Sequence, residues 1–173
     1  MDYVVGIGNT LRGDDAVGAY VVSRLPGSRN VSLETVHQLT PDWTDRLQAA
    51  SRVLFVDADA EGDAPQIERL TPSPAVPIGH TIRPEVLIAW MEAICPAVPE
   101  AWLLRVPASR FDVGAPLSER CSNHAERAIQ LATAWLDKDS SCQTLDPATP
   151  EHDSGGTRER NLGKIPARSV ESS

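Results

Sequence analysis

Cysteine is scarce in this chain: three among 173 residues, Cys95, Cys121 and Cys142, with no CxxC pair. An odd number at these spacings argues against a disulfide framework and a zinc knuckle, so the three read as reduced structural thiols. Basic charge is also short, with 16 Lys and Arg against 24 Asp and Glu for a net charge of −8. A protein that grips a phosphate backbone needs a basic face, so no nucleic-acid partner is expected. Long hydrophobic runs are missing; stretches such as residues 53–56 and 86–90 fall far below the ~18 apolar residues of a membrane span. No membrane insertion is expected. The opening Met-Asp-Tyr lacks the basic and apolar regions of a secretory signal, which makes the cytoplasm the expected location. The chain also has no GxSxG elbow, Walker A loop or HExxH helix, which removes three common catalytic designs.

What is present is an ordinary globular composition, 41% hydrophobic and 23% charged, at a length that suits one domain. Residues 137–173 differ from the rest: they hold no aromatic, few aliphatics and much Ser, Pro, Gly and Asp. Such a segment cannot bury enough surface to offset its ordering entropy, so the expectation is a folded domain over 1–136 and a disordered tail over 137–173. Within the domain, residues 3–7 form a β-branched apolar run closed by Gly8 and Asn9, the pattern of a buried strand. Apolar positions 17, 20, 21 and 25 then follow helical spacing up to Pro26. A second strand is predicted over 31–36, and Thr40–Pro41 reads as an N-cap and N1 pair opening a helix toward Ala50. Residues 53–56 are a third strand ending in Asp57, Pro84 opens a helix ending before Pro96, and residues 102–106 are a further strand. Ser118 caps a last helix with apolar positions 125, 128, 129, 132 and 136. Strands alternating with helices imply an α/β sandwich in which helices flank a mostly parallel, twisted sheet.

Ligands of such sheets bind where the carboxyl ends of the strands meet helix N-termini. That edge collects Gly8, Asn9, Asp14 and Asp15 from the first strand, His37 and Gln38 from the second, and Asp57 and Asp59 from the third. His80 enters the helix at Pro84 and belongs to the same candidate set, whereas His124 on a helix and His152 in the tail do not. Two carboxylates with an imidazole suit a divalent transition metal with open positions. Plainer roles compete: Asp14 or Asp15 equally suits a helix N-cap, Asp57 with Asp59 suits a turn, and spacing does not choose between His37 and His80. A dinucleotide fingerprint fails, because its third glycine would fall at Leu11 and no acidic residue ends the second strand. Asn9 suits a tight loop, and Cys95, among apolar neighbours, is a poor catalytic thiol.

The run Gly6-Ile7-Gly8-Asn9-Thr10-Leu11-Arg12-Gly13-Asp14-Asp15-Ala16-Val17-Gly18 resembles the N-terminal motif of the hydrogenase maturation proteases. Two more segments resemble that family in the same order: Leu54-Phe55-Val56-Asp57-Ala58, and His80-Thr81-Ile82-Arg83-Pro84-Glu85-Val86-Leu87. The resemblance extends over about residues 3–136. It implies a three-layer, phosphorylase/hydrolase-like α/β sandwich and an endopeptidase that trims a C-terminal peptide from the large-subunit precursor of a [NiFe]-hydrogenase after nickel insertion. It also implies that Asp15, Asp57 and His80 are the metal-contacting and catalytic residues and that the nickel is carried by the substrate. A monomer is expected, although the sequence itself does not name the oligomeric state. Ala16 stands where glycine is frequent in the family, and residues 37–41 replace the Asp-Gly-Gly of some members, which marks this loop as a candidate for partner choice. The alternative is a non-catalytic nickel-binding assembly factor or metallochaperone using the same residues.

Overall fold

The computed structural model describes residues 1–73 and 82–138. Five strands, β1 (Asp2–Ile7), β2 (Val31–Val36), β3 (Arg52–Asp59), β4 (Gln66–Arg69) and β5 (Glu100–Pro107), form one sheet in the order β2-β1-β3-β5-β4. The first four are parallel, and β4 lies antiparallel to β5 on the edge. Among the described residues four helices flank the sheet: α1 (Val17–Val22), α2 (Trp43–Leu47), α3 (Pro84–Ile94) and α4 (Glu119–Asp137). A 3-10 turn over Gly13–Ala16 leads into α1.

Strand alternation divides the apolar residues between two cores. Val4, Leu54, Val56, Leu104 and Val106 face α1 and α4, where they meet Val17, Val21, Ala125, Ala128 and Trp135. Val5, Val53, Phe55 and Leu103 face the opposite side, against Leu47 of α2 and Val86, Leu87 and Met91 of α3. The expected three-layer α/β sandwich with a mostly parallel sheet is therefore what the chain forms. Burial on both faces accounts for the continuous apolar run of β3. Gly6 and Gly18 let β1 and α1 touch: a Cβ on Gly6 would sit 2.4 Å from the Gly18 carbonyl oxygen, and one on Gly18 would sit 2.5 Å from that of Ile7. These two glycines of the N-terminal motif thus serve packing.

Three local expectations need correction. β4 was not anticipated, because Gln66-Ile67-Glu68-Arg69 carries a single apolar residue and takes its place as an edge strand by pairing with β5. Thr40–Pro41 does not cap α2. Thr40 instead donates its hydroxyl to the Asp42 carboxylate, Asp42 stands at the N-cap without a side-chain bond to a helix N–H, and the helix stops at Leu47. α1 ends at Val22, with Leu25 buried in the turn beyond it. The Ser118 cap is as expected, its hydroxyl accepting from the Cys121 N–H at 3.2 Å. α4 runs through Asp137, one residue past the predicted boundary, and the rest of the predicted tail after Lys138 lies outside the described residues. No helix among the described residues is long and apolar enough to cross a membrane.

Candidate functional site

The carboxyl ends of β1, β2, β3 and β5 open on one edge of the sheet, and the turn after β1 shapes its centre. Gly8 adopts φ +133°, and a Cβ there would lie 1.9 Å from the Asp15 carbonyl oxygen, so the backbone passes where only glycine fits. Asn9 then organises the loop as an Asx turn, its side-chain oxygen accepting from the Leu11 N–H at 2.9 Å. The Asn9 N–H donates to Asp15 Oδ2 at 2.8 Å, which aims the Asp15 carboxylate back toward the end of β1.

The two neighbouring acids have separate tasks, and neither makes a side-chain cap of α1. Asp14 is fully buried. Its carboxylate accepts from the N–H groups of Ser109 (2.9 Å), Arg110 (2.9 Å) and Ser118 (2.6 Å) and from the Ser118 hydroxyl (2.9 Å). Burial acts to raise its pKa, but these donors outweigh burial and leave it lowered. Asp14 therefore clamps the loop after β5 and the start of α4 beneath the site. Sequence pattern did not show this role, since the partners lie about a hundred residues away.

Asp57 ends the buried part of β3, with Oδ1 accepting from the Ala58 N–H at 2.8 Å. Burial pushes its pKa up to about 6; Asp15 and Glu85 add to the rise, while the Ala58 bond and Arg105 oppose it. Asp15 and Asp57 thus share one electrostatic environment. Asp59 serves the turn instead, its Oδ1 accepting from the Glu61 N–H at 3.0 Å. His37 is exposed and lines a groove with Gly8, Thr10, Leu11, Thr35 and Val36 beside the Asp15 loop. His80 lies outside the described residues, and among those described no three His, Cys, Asp or Glu side chains are clustered to hold a metal ion. Cys121 fits the expected structural thiol: burial first, and then Asp14, pushes it up to about 12.

Two charged residues at this edge escaped the sequence reading. Glu85, in the first turn of α3, pairs with Arg105 at 3.3 Å, and Arg105 is the register partner of Asp57 on β5. Their signal was a lone charge in an apolar strand and a carboxylate beside Pro84, both passed over in favour of the apolar stripes. Chemically, Asp15 and Asp57 offer oxygen ligands to a divalent metal, and Asp57 is a carboxyl that exchanges a proton near neutrality.

No protein-family model and no curated protein matches the sequence. Solved structures do match. The chain is similar to a [NiFe] hydrogenase maturation protease, HycI, from Thermococcus kodakarensis, at 21% identity and TM-score 0.63 over 79% of this chain and 92% of that one. It is also similar to the hydrogenase maturating endopeptidase HybD from E. coli, at 18% identity and TM-score 0.64 over 80% and 93%. A hydrogenase 2 maturation peptidase from a Thaumarchaeota archaeon matches at 21% identity and TM-score 0.59 over 79% and 97%. The chain shares the fold of these proteins across nearly their whole length.

Proposed function

We propose that this chain is a processing endopeptidase that removes a C-terminal peptide from the large-subunit precursor of a [NiFe]-hydrogenase once nickel is in place. The observation that carries the reading is the convergence of Asp15 and Asp57 at the strand ends of a fold shared with hydrogenase maturation proteases. With His80, these carboxylates are the residues that contact the nickel, which belongs to the substrate. The metal supplies a positive centre that identifies a loaded precursor and polarises groups near it. Asp15 is held by the Asn9 N–H and presents its remaining lone pairs. Asp57, partly desolvated, accepts a proton from the attacking water in its carboxylate form and gives it up toward the leaving amine.

The test is incubation of nickel-loaded and nickel-free precursor with the full chain and with Asp15→Ala, Asp57→Ala and His80→Ala. The expected result is cleavage by the wild type alone, of the loaded precursor alone. Nickel binding without cleavage of any loaded precursor would move the function to metal delivery.

A further inference from the structure

Asp57 and Arg105 are directly paired in the parallel register of β3 and β5. Asp57 alternates with Val53 and Phe55, and Arg105 with Ala101 and Leu103, so both project to the sheet face covered by α3. Opposite charges on the same face of adjacent strands attract one another, so a cross-strand ion pair is available to Asp57 and Arg105. Here Arg105 is engaged elsewhere: its Nε donates to Glu68 Oε1 on β4 at 2.9 Å, and its Nη2 to Glu85 Oε1 on α3 at 3.3 Å. Among the described residues the Asp57 carboxylate accepts one hydrogen bond, from the N–H of Ala58. The other Glu85 oxygen is buried without a hydrogen-bond partner among the described residues.

We infer that Glu68 and Glu85 are positioning residues that hold the Arg105 guanidinium away from Asp57, keeping that carboxylate free for the metal-bearing substrate. A guanidinium on Asp57 would occupy its lone pairs and neutralise its charge, leaving a weaker ligand and a weaker base. Glu68, Glu85 and Asp57 compete for one cation, with the charge of Asp59 also acting on it, and the two remote ones win by geometry: Glu68 comes from the strand beyond β5, Glu85 from the helix above it. β4, the edge strand absent from the sequence pattern, thereby acquires a purpose at the site. The inference rests on the processing reading for its consequence, but its structural half stands independently.

The test begins with crystal structures of the full-length wild type and of Glu68→Gln/Glu85→Gln, both near-isosteric. Arg105 is expected on Glu68 and Glu85 in the wild type and within hydrogen-bonding distance of Asp57 in the variant; an Arg105 that stays off Asp57 in the variant overturns the inference. The second readout is kcat/KM on nickel-loaded precursor. Glu85→Gln should lower it about fivefold, the scale of one partly exposed ion pair, and Glu85→Gln/Arg105→Gln should recover it. A loss that persists without Arg105 means Glu85 acts directly, and an unchanged rate in Glu68→Gln/Glu85→Gln means the hold has no catalytic consequence; either overturns the inference. If the wild type cleaves no loaded precursor, the processing reading fails while the crystal structures still decide where Arg105 goes.

Discussion

Replacing Asp57 by Asn removes a charge from the strand end while keeping the oxygen that accepts from the Ala58 N–H. Burial lifts the Asp57 carboxyl from its ordinary 3.8 to about 6. Between those values the folded chain binds a proton that the unfolded chain has released, so stability falls as pH rises through this window and levels off above it. At about 1.4 kcal/mol per pH unit, the full penalty of keeping Asp57 ionised is about 3 kcal/mol. Asp57→Asn should therefore match the wild type near pH 4 and exceed it by about 2–3 kcal/mol at pH 8. Urea unfolding followed by fluorescence of the four tryptophans at several pH values reads this difference, because contributions from groups not coupled to Asp57 cancel between the two proteins. A stability gain accompanied by lost processing would identify Asp57 as a group kept for chemistry at a cost in stability. A difference that stays flat from pH 4 to pH 8 would refute the reasoning, since no desolvated carboxylate would then exist at this position.

Other outcomes follow from the same geometry. Asp14→Ala strands the N–H groups of Ser109, Arg110 and Ser118 and should destabilise by about 3–5 kcal/mol in the same urea assay at pH 7. Its sign with pH is opposite to that of Asp57: the lowered pKa gives stability that is full above about pH 4 and lost as pH falls through the folded value. Gly8→Ala forces a Cβ into the Asp15 carbonyl, and thermal melts should show a loss of about 1–3 kcal/mol together with loss of processing. Cys121, buried and with its thiol pushed up to about 12, should resist an aromatic disulfide reagent at pH 8 until the chain is unfolded; fast modification of the native protein would contradict its placement.

Legibility of the fold tracked how local its causes were. β1, β2, β3, α3, β5 and α4 were all visible because strand runs, Pro84 and the Ser118 cap leave their mark within a few residues. β4 left none: an edge strand with one apolar residue exists only through its partner, and that pairing is tertiary. α2 misled because Thr40 spends its hydroxyl on Asp42 instead of a helix N–H. At the site, Asp15 and Asp57 were legible as acids at strand ends, and the structure brings both to the same edge. Asp14 was ambiguous until its four donors from the β5–α4 region were seen. The competition of Glu68, Glu85 and Asp57 for Arg105 depends on three separate elements meeting, which no spacing rule anticipates.

In the proposed function Asp15 and Asp57 serve the processing of a nickel-loaded precursor. Intact-mass analysis of such a precursor, loaded and unloaded, after incubation with wild-type chain and with Asp57→Asn tests it most directly. Loss of a C-terminal peptide is expected only when the precursor carries nickel and the enzyme carries Asp57. Equal cleavage by Asp57→Asn, or no cleavage of a precursor verified to hold nickel, would contradict it.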